Sequence, residues 1–250
     1  MLLFKLLLTP ALIGLVSLAG RRWGPTVSGW LIGLPLTSGP VALFLALDQG
    51  NAFAARAAQG TLTGLISVAG FCLAYSWLSF RFSWLWSLLI SWGVFFALTV
   101  VLEHIAVPLA VAFVSVICSL AIVLKLLPDN RQEVVVKRPP QWETPLRMLV
   151  ATAFVLVLTG AAGLLGSQLS GLLTPFPIFA SILGGFTHRF QGATSACQLL
   201  RGVVVGSFTF AVFFLVVAGL IARLGVIVAF SLAMLIALLL HGCSLYLLRG

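Results

Sequence analysis

Acidic residues are nearly missing from this chain: five Asp and Glu stand among 250 residues, against fourteen Lys and Arg. Charged residues of both signs make up 8% of the sequence, where soluble domains carry about 25%. With 61% hydrophobic residues, the chain has too little polar surface for a water-soluble globule and reads as an all-α integral membrane protein.

The same scarcity excludes chemistry. Hydrolases and transferases need acid, base or metal groups that converge on one point. Five scattered carboxylates and three histidines offer no such cluster, so no enzymatic activity, metal or cofactor is expected. A phosphate-binding loop is also missing, which excludes ATP-driven transport by this chain alone. Cys72, Cys118, Cys197 and Cys243 fall inside apolar segments without CxxC spacing and read as packing thiols. The formal charge of +9 does not imply nucleic acid, because the basic residues punctuate apolar runs instead of clustering.

What is present is a series of apolar runs. A membrane-spanning helix needs about 20 mostly apolar residues, and nine runs fit: 2–19, 27–47, 52–80, 83–102, 105–127, 145–165, 169–186, 193–222 and 224–248. Lys5 sits within the first run, which is therefore read as a retained helix, not a secretory leader. Residues 128–144, with Asp129, Arg131, Glu133, Lys137 and Arg138, read as a solvated linker. If the N-terminus lies outside, eleven Lys and Arg fall on the cytoplasmic side and only Lys5, Arg56 and Arg223 opposite. That bias predicts an N-out, C-in orientation. Tyr75, Trp77, Phe80, Phe82, Trp84 and Trp86, straddling Arg81, read as an interfacial aromatic belt.

The chain also repeats itself. At an offset of 142 residues, Ser28, Gly29, Pro35, Phe44, Gln49, Gly50, Ala54 and Gly60 recur as Ser170, Gly171, Pro177, Phe186, Gln191, Gly192, Ala196 and Gly202. Gly64, Ala69 and Phe71 recur as Gly206, Ala211 and Phe213. The fifth run has no counterpart, and an odd helix inverts whatever follows it. The expected plan is two inverted four-helix repeats, 1–104 and 145–250, joined by a linker helix and cytoplasmic loop at 105–144.

Phe176-Pro177-Ile178-Phe179-Ala180, with His188 downstream, resembles the FP-x-FA core of the GlpM-like family of small bacterial membrane proteins. Ser28-Gly29 and Gly33-Leu34-Pro35-Leu36 match more loosely, with Trp92 in a similar fourth helix. The resemblance implies a fused, tandem version of a four-helix protein, an envelope association and a place in the bacterial cytoplasmic membrane. It implies no substrate.

Two proline-containing breaks mark the expected site, Pro35 with Thr37 and Ser38 in the first half, and Thr174 with Pro177 in the second. Proline removes a backbone donor, and freed backbone groups in a membrane are tolerated only where protein or a water-filled cavity satisfies them. A packing kink is the competing reading, just as Ser and Thr hydroxyls often bond their own backbone. Arg56 pairs with Gln198 in the repeat register and Gln59 with Arg201, so each half carries one Arg and one Gln a turn apart. An Arg at either end of a pathway favours an anionic substrate; interfacial anchoring is the alternative. Asp48 and His188 are candidates for proton coupling.

These features predict a small secondary transporter or exporter of an ion, an anionic small molecule or a lipid-linked intermediate. A non-transporting scaffold in an envelope-assembly complex is the alternative. The lipid bilayer is the certain partner, and the glycine face of Gly60 and Gly64 allows either a homodimer or packing within the monomer.

Overall fold

The computed structural model describes residues 2–35, 38–105, 107–128, 142–162 and 176–249, and every element among them is a helix. In chain order these are α1 (Leu2–Trp23), α2 (Pro25–Ile32), α3 (Ser38–Gln49), α4 (Asn51–Leu78), α5 (Trp84–Glu103), α6 (Leu109–Leu126), α7 (Glu143–Ala162), α8 (Ile178–Gln191) and α9 (Ala193–Arg249). Four stretches among the described residues are long and apolar enough to cross a membrane: Asn51–Leu78, Trp84–Glu103, Leu109–Leu126 and Ala193–Cys243. In hydrocarbon a helix satisfies its own backbone polar groups, which is why such apolar runs adopt no other structure there.

The helix boundaries follow local chemistry. Gly24 and Pro25 separate α2 from α1, with proline at the first helical position, where its missing donor costs nothing. The second expected span is two pieces, α2 and α3, with Pro35 between them. The last two expected spans are the two helical arms of α9, which meet at the non-helical Gly225 (φ 75°, ψ 173°).

Long-range contacts define two ends of the bundle. At one end Trp77 Nε1 donates to the Leu126 carbonyl (3.1 Å), the Tyr75 hydroxyl meets His188 Nδ1 (3.3 Å), and the Cys197 thiol reaches the Pro128 carbonyl (3.6 Å). The ends of α1, α4, α6 and α8 and the starts of α2, α7 and α9 gather there. At the other end Gln59 Nε2 donates to the Val107 carbonyl (2.7 Å), joining the start of α4 to the approach to α6.

The core lies along α4 and the first arm of α9, which share an extensive contact and hold the fully buried Phe71, Tyr75, Phe213 and Phe214. Around this axis α5 and α6 lie on α4, α2 on α9, and α7 against α1. The α2–α9 contact is backbone on backbone. A Cβ added at Gly33 would fall on the Gly206 backbone, and one at Gly29 on the Leu199 carbonyl. Gly29-x-x-x-Gly33 and Gly202-x-x-x-Gly206 thus form the small-residue seam that lets membrane helices approach closely, where no hydrophobic driving force separates lipid from protein.

Candidate functional site

The broken segments come first. α3 begins just past Pro35, whose carbonyl accepts from the Gly39 amide at 2.8 Å. α8 begins just past Pro177, whose carbonyl accepts from the Ser181 amide at 2.7 Å. Pro35, Ser38 and Pro177 are buried. Beside Pro35, Gly39 faces Phe213. Beside Pro177, the Phe176 ring lies 5.1 Å from Phe95, 5.5 Å from Phe96 and 6.0 Å from Trp92, and Trp92 Nε1 donates to the Ser181 hydroxyl (2.9 Å). The expected site residues Thr37 and Thr174 lie outside the described residues, as does the side chain of Asp48, which falls in the last turn of α3.

The Arg and Gln pairs sit at opposite ends of the bundle. Arg56 is exposed in the first turns of α4, where Gln59 is committed to the Val107 carbonyl. Gln198 and Arg201 are half-buried near the start of α9, with Arg201 partnered. His188 is held between helices, its ring edge-on to Tyr75 at 5.9 Å.

A second cluster, absent from the sequence-based site, lies at the end that holds His188. Glu143, read above as part of a solvated linker, heads α7 and is 1% exposed. Its burial is tolerated because Arg147, one turn on, donates to Oε1 at 2.5 Å, while Arg21 from the end of α1 approaches Oε2 at 3.9 Å. Arg147 is itself buried, with Thr187 Oγ1 at 3.5 Å and the Phe186 ring 5.5 Å from its guanidinium carbon. Glu143 precedes the apolar stretch of α7; burial pushes its carboxyl above the ordinary range, and Arg147 and then Arg21 oppose that shift.

These groups line a cavity of about 20 Å³ together with Ser17, Gly20, Pro25, Ser28, Gln191 and Leu199. The Ser28 hydroxyl is spent on the Val16 carbonyl (3.2 Å). Ser17 Oγ and Arg147 Nε are buried and meet no hydrogen-bond partner among the described residues. One signal in the sequence pointed here, the Glu143-x-x-x-Arg147 spacing that places both side chains on one helical face.

Among the described residues the fold is all-helical, with four stretches long and apolar enough to cross a membrane and a charged pocket at one end. No family model, curated protein or solved structure matches the chain.

Proposed function

We propose that the chain is a small secondary transporter or exporter of an anionic small molecule or lipid-linked intermediate. In this reading nine crossings form two inverted four-helix halves around the linker helix α6, N-terminus out and C-terminus in, in a bacterial cytoplasmic membrane. The loose GlpM-like pattern fits the tandem plan.

The observation that carries the reading is that residues 142 apart make contacts at equivalent positions. Gly50 (φ 83°, ψ 169°) and Gly192 (φ 94°, ψ 174°) open α4 and α9 with one and the same turn. The Pro35–Gly39 amide bond has its counterpart in Pro177–Ser181. Thr99 donates to Ser67 across α5 and α4 (3.0 Å), and at the equivalent positions His241 meets Thr209 across the arms of α9 (3.3 Å). Opposed halves with matched breaks are the build of many secondary transporters, whose sites lie between the discontinuous helices.

Two experiments test this. In a variant with its four cysteines replaced by alanine, Asn51→Cys and Arg189→Cys, both exposed and each just outside its equivalent turn, should react with an impermeant maleimide from opposite faces of the membrane. Labelling from one face removes the inverted plan. In reconstituted vesicles loaded with radiolabelled carboxylates and phosphate esters, the protein should accelerate release of at least one anion, and Arg56→Gln or Arg201→Gln should abolish it.

The scaffold reading has its own observation, the tight seating of Gly33 on Gly206 and of Phe176 on Phe95 and Phe96. Vesicles that insert the protein correctly and release nothing above the protein-free rate favour it.

A further inference from the structure

We infer that the end of the bundle holding His188 binds anionic phospholipids by their headgroups, at a patch formed by the α4–α5 turn, the end of α6 and the end of α8. The inference rests on the membrane-crossing reading and is independent of transport.

The first observation is where tryptophan reaches the surface. Aromatic belts ordinarily mark both membrane–water interfaces. Here Trp23, Trp77, Trp84, Trp86 and Trp142 are 37–60% exposed, and all five stand at this one end, where α1 and α4 close and α5 and α7 open. The other two tryptophans are turned inward, Trp30 onto the His241 ring and Trp92 onto the Ser181 hydroxyl. The belt is therefore one-sided.

The second observation is charge gathered beside those rings. The Trp77 bond to the Leu126 carbonyl sets the last turn of α6, with Lys125, against the end of α4. A Cβ added at Gly185 would lie 3.7 Å from the Trp84 ring, so α8 passes directly against the start of α5. Arg189 stands one turn further along that face of α8, and Arg81 lies in the α4–α5 turn. Lys125, Arg81 and Arg189 are exposed, and their side chains form no ion pair among the described residues. The one described carboxylate at this end, Glu143, is buried and bonded to Arg147. Residues 129–141 carry Asp129 and Glu133 against Arg131, Lys137 and Arg138, so by composition that segment adds to the positive sign. At the opposite end Arg56 and Arg223 are exposed without an exposed tryptophan beside them.

The pairing of ring and cation selects the ligand. A free phosphate would answer the cations but leave the exposed indoles in water. A phospholipid answers both, because its headgroup meets Lys and Arg while the adjoining glycerol and upper acyl chain cover the amphipathic rings. Each cation held near an anionic leaflet is attracted to it, and the attraction fades with salt.

The test reads lipid preference. Full-length protein is reconstituted in mixtures of phosphatidylcholine and phosphatidylglycerol, with bromine on the acyl chains of one lipid or the other, and quenching of tryptophan fluorescence is measured. Phosphatidylglycerol should be preferred over phosphatidylcholine at least about threefold at low salt, and a smaller preference overturns the inference. The triple variant Arg81→Gln, Lys125→Gln, Arg189→Gln should lose at least half of that preference, whereas Arg81→Lys with Arg189→Lys should keep it. Arg223→Gln, at the opposite end, should leave it unchanged. A triple variant that retains more than half the preference, or Arg223→Gln falling as far as the triple variant, shows that general charge and not this patch selects the lipid. Alkaline extraction keeps the two readings apart: protein stripped from the vesicles removes the membrane reading itself, and retained protein without a preference removes this inference alone.

Discussion

The two halves of the 142-residue sequence repeat place their turns alike and spend their side chains differently. Gly50 and Gly192 turn the chain the same way, and Ala54 and Ala196, Ala69 and Ala211, and Phe71 and Phe213 are buried in both. Yet the hydroxyl pair Ser67–Thr99 in one half is Thr209–His241 in the other, and the His241 ring stacks on Trp30 of α2 at 3.7 Å. Backbone geometry is shared where glycine and proline dictate it. Side-chain chemistry diverges where each half meets something its counterpart does not, as the charged cavity meets only the end holding α1, α2, α7 and α8.

The harshest test of the likeness is at the glycine seam. Gly206→Val would drive a side chain into the Trp30 carbonyl and the Gly33 backbone, and a cost of about 3 kcal/mol or more is expected, read as a lost monodisperse peak or a steeply lowered midpoint. Gly64, its register partner, is also buried. An equal loss in Gly64→Val would mean that both halves cross their partners backbone on backbone, and a silent Gly64→Val would end the comparison there.

Next in size are the turns. The φ and ψ of Gly50 and Gly192 lie in a region essentially reserved for glycine, so Gly50→Ala and Gly192→Ala should each cost about 2 kcal/mol in chemical unfolding. Costs that differ by more than about 1 kcal/mol would show that surrounding packing, not the turn, sets the stability of each half.

How much of this was legible in the sequence follows from the distance over which each feature is encoded. The breaks at Pro35 and Pro177 and the turns at Gly50 and Gly192 are written in single residues, and Gly and Pro act on their own backbone whatever surrounds them. The Arg21–Glu143–Arg147 cavity is not written locally. Arg21 and Glu143 are 122 positions apart and meet only because α7 lies along α1. Basic residues at helix ends also serve as topology signals, so Arg147 is legible as one of these before it is legible as the partner of Glu143. His241 is equally illegible locally, because its partners are a ring from α2 and a hydroxyl from the other arm of α9.

The interhelix bonds give a finer comparison. Ser67→Ala should cost about 0.6 kcal/mol, the usual worth of a hydrogen bond between membrane helices. His241→Ala should cost more, about 1.5 kcal/mol, because it also forfeits the Trp30 stack. A double-mutant cycle between Trp30 and His241 isolates that surplus. Equal costs at Ser67 and His241 would mean the stack contributes nothing.

The smallest effect on stability is expected where the register exchanges residues. Arg56 faces Gln198 in the alignment and Gln59 faces Arg201, so one half has Arg before Gln and the other Gln before Arg. Arg56 is exposed, and Arg56→Gln should leave the unfolding free energy within about 0.5 kcal/mol. Arg201 is half-buried and partnered, so Arg201→Gln should cost about 1 kcal/mol. The double exchange Gln198→Arg with Arg201→Gln gives the second half the order of the first and keeps its composition. If the halves need only one Arg and one Gln on that face, the exchanged protein should retain both its midpoint and any anion release from vesicles. If release is lost while the midpoint holds, position along the helix matters to the cargo, and the two ends are different gates.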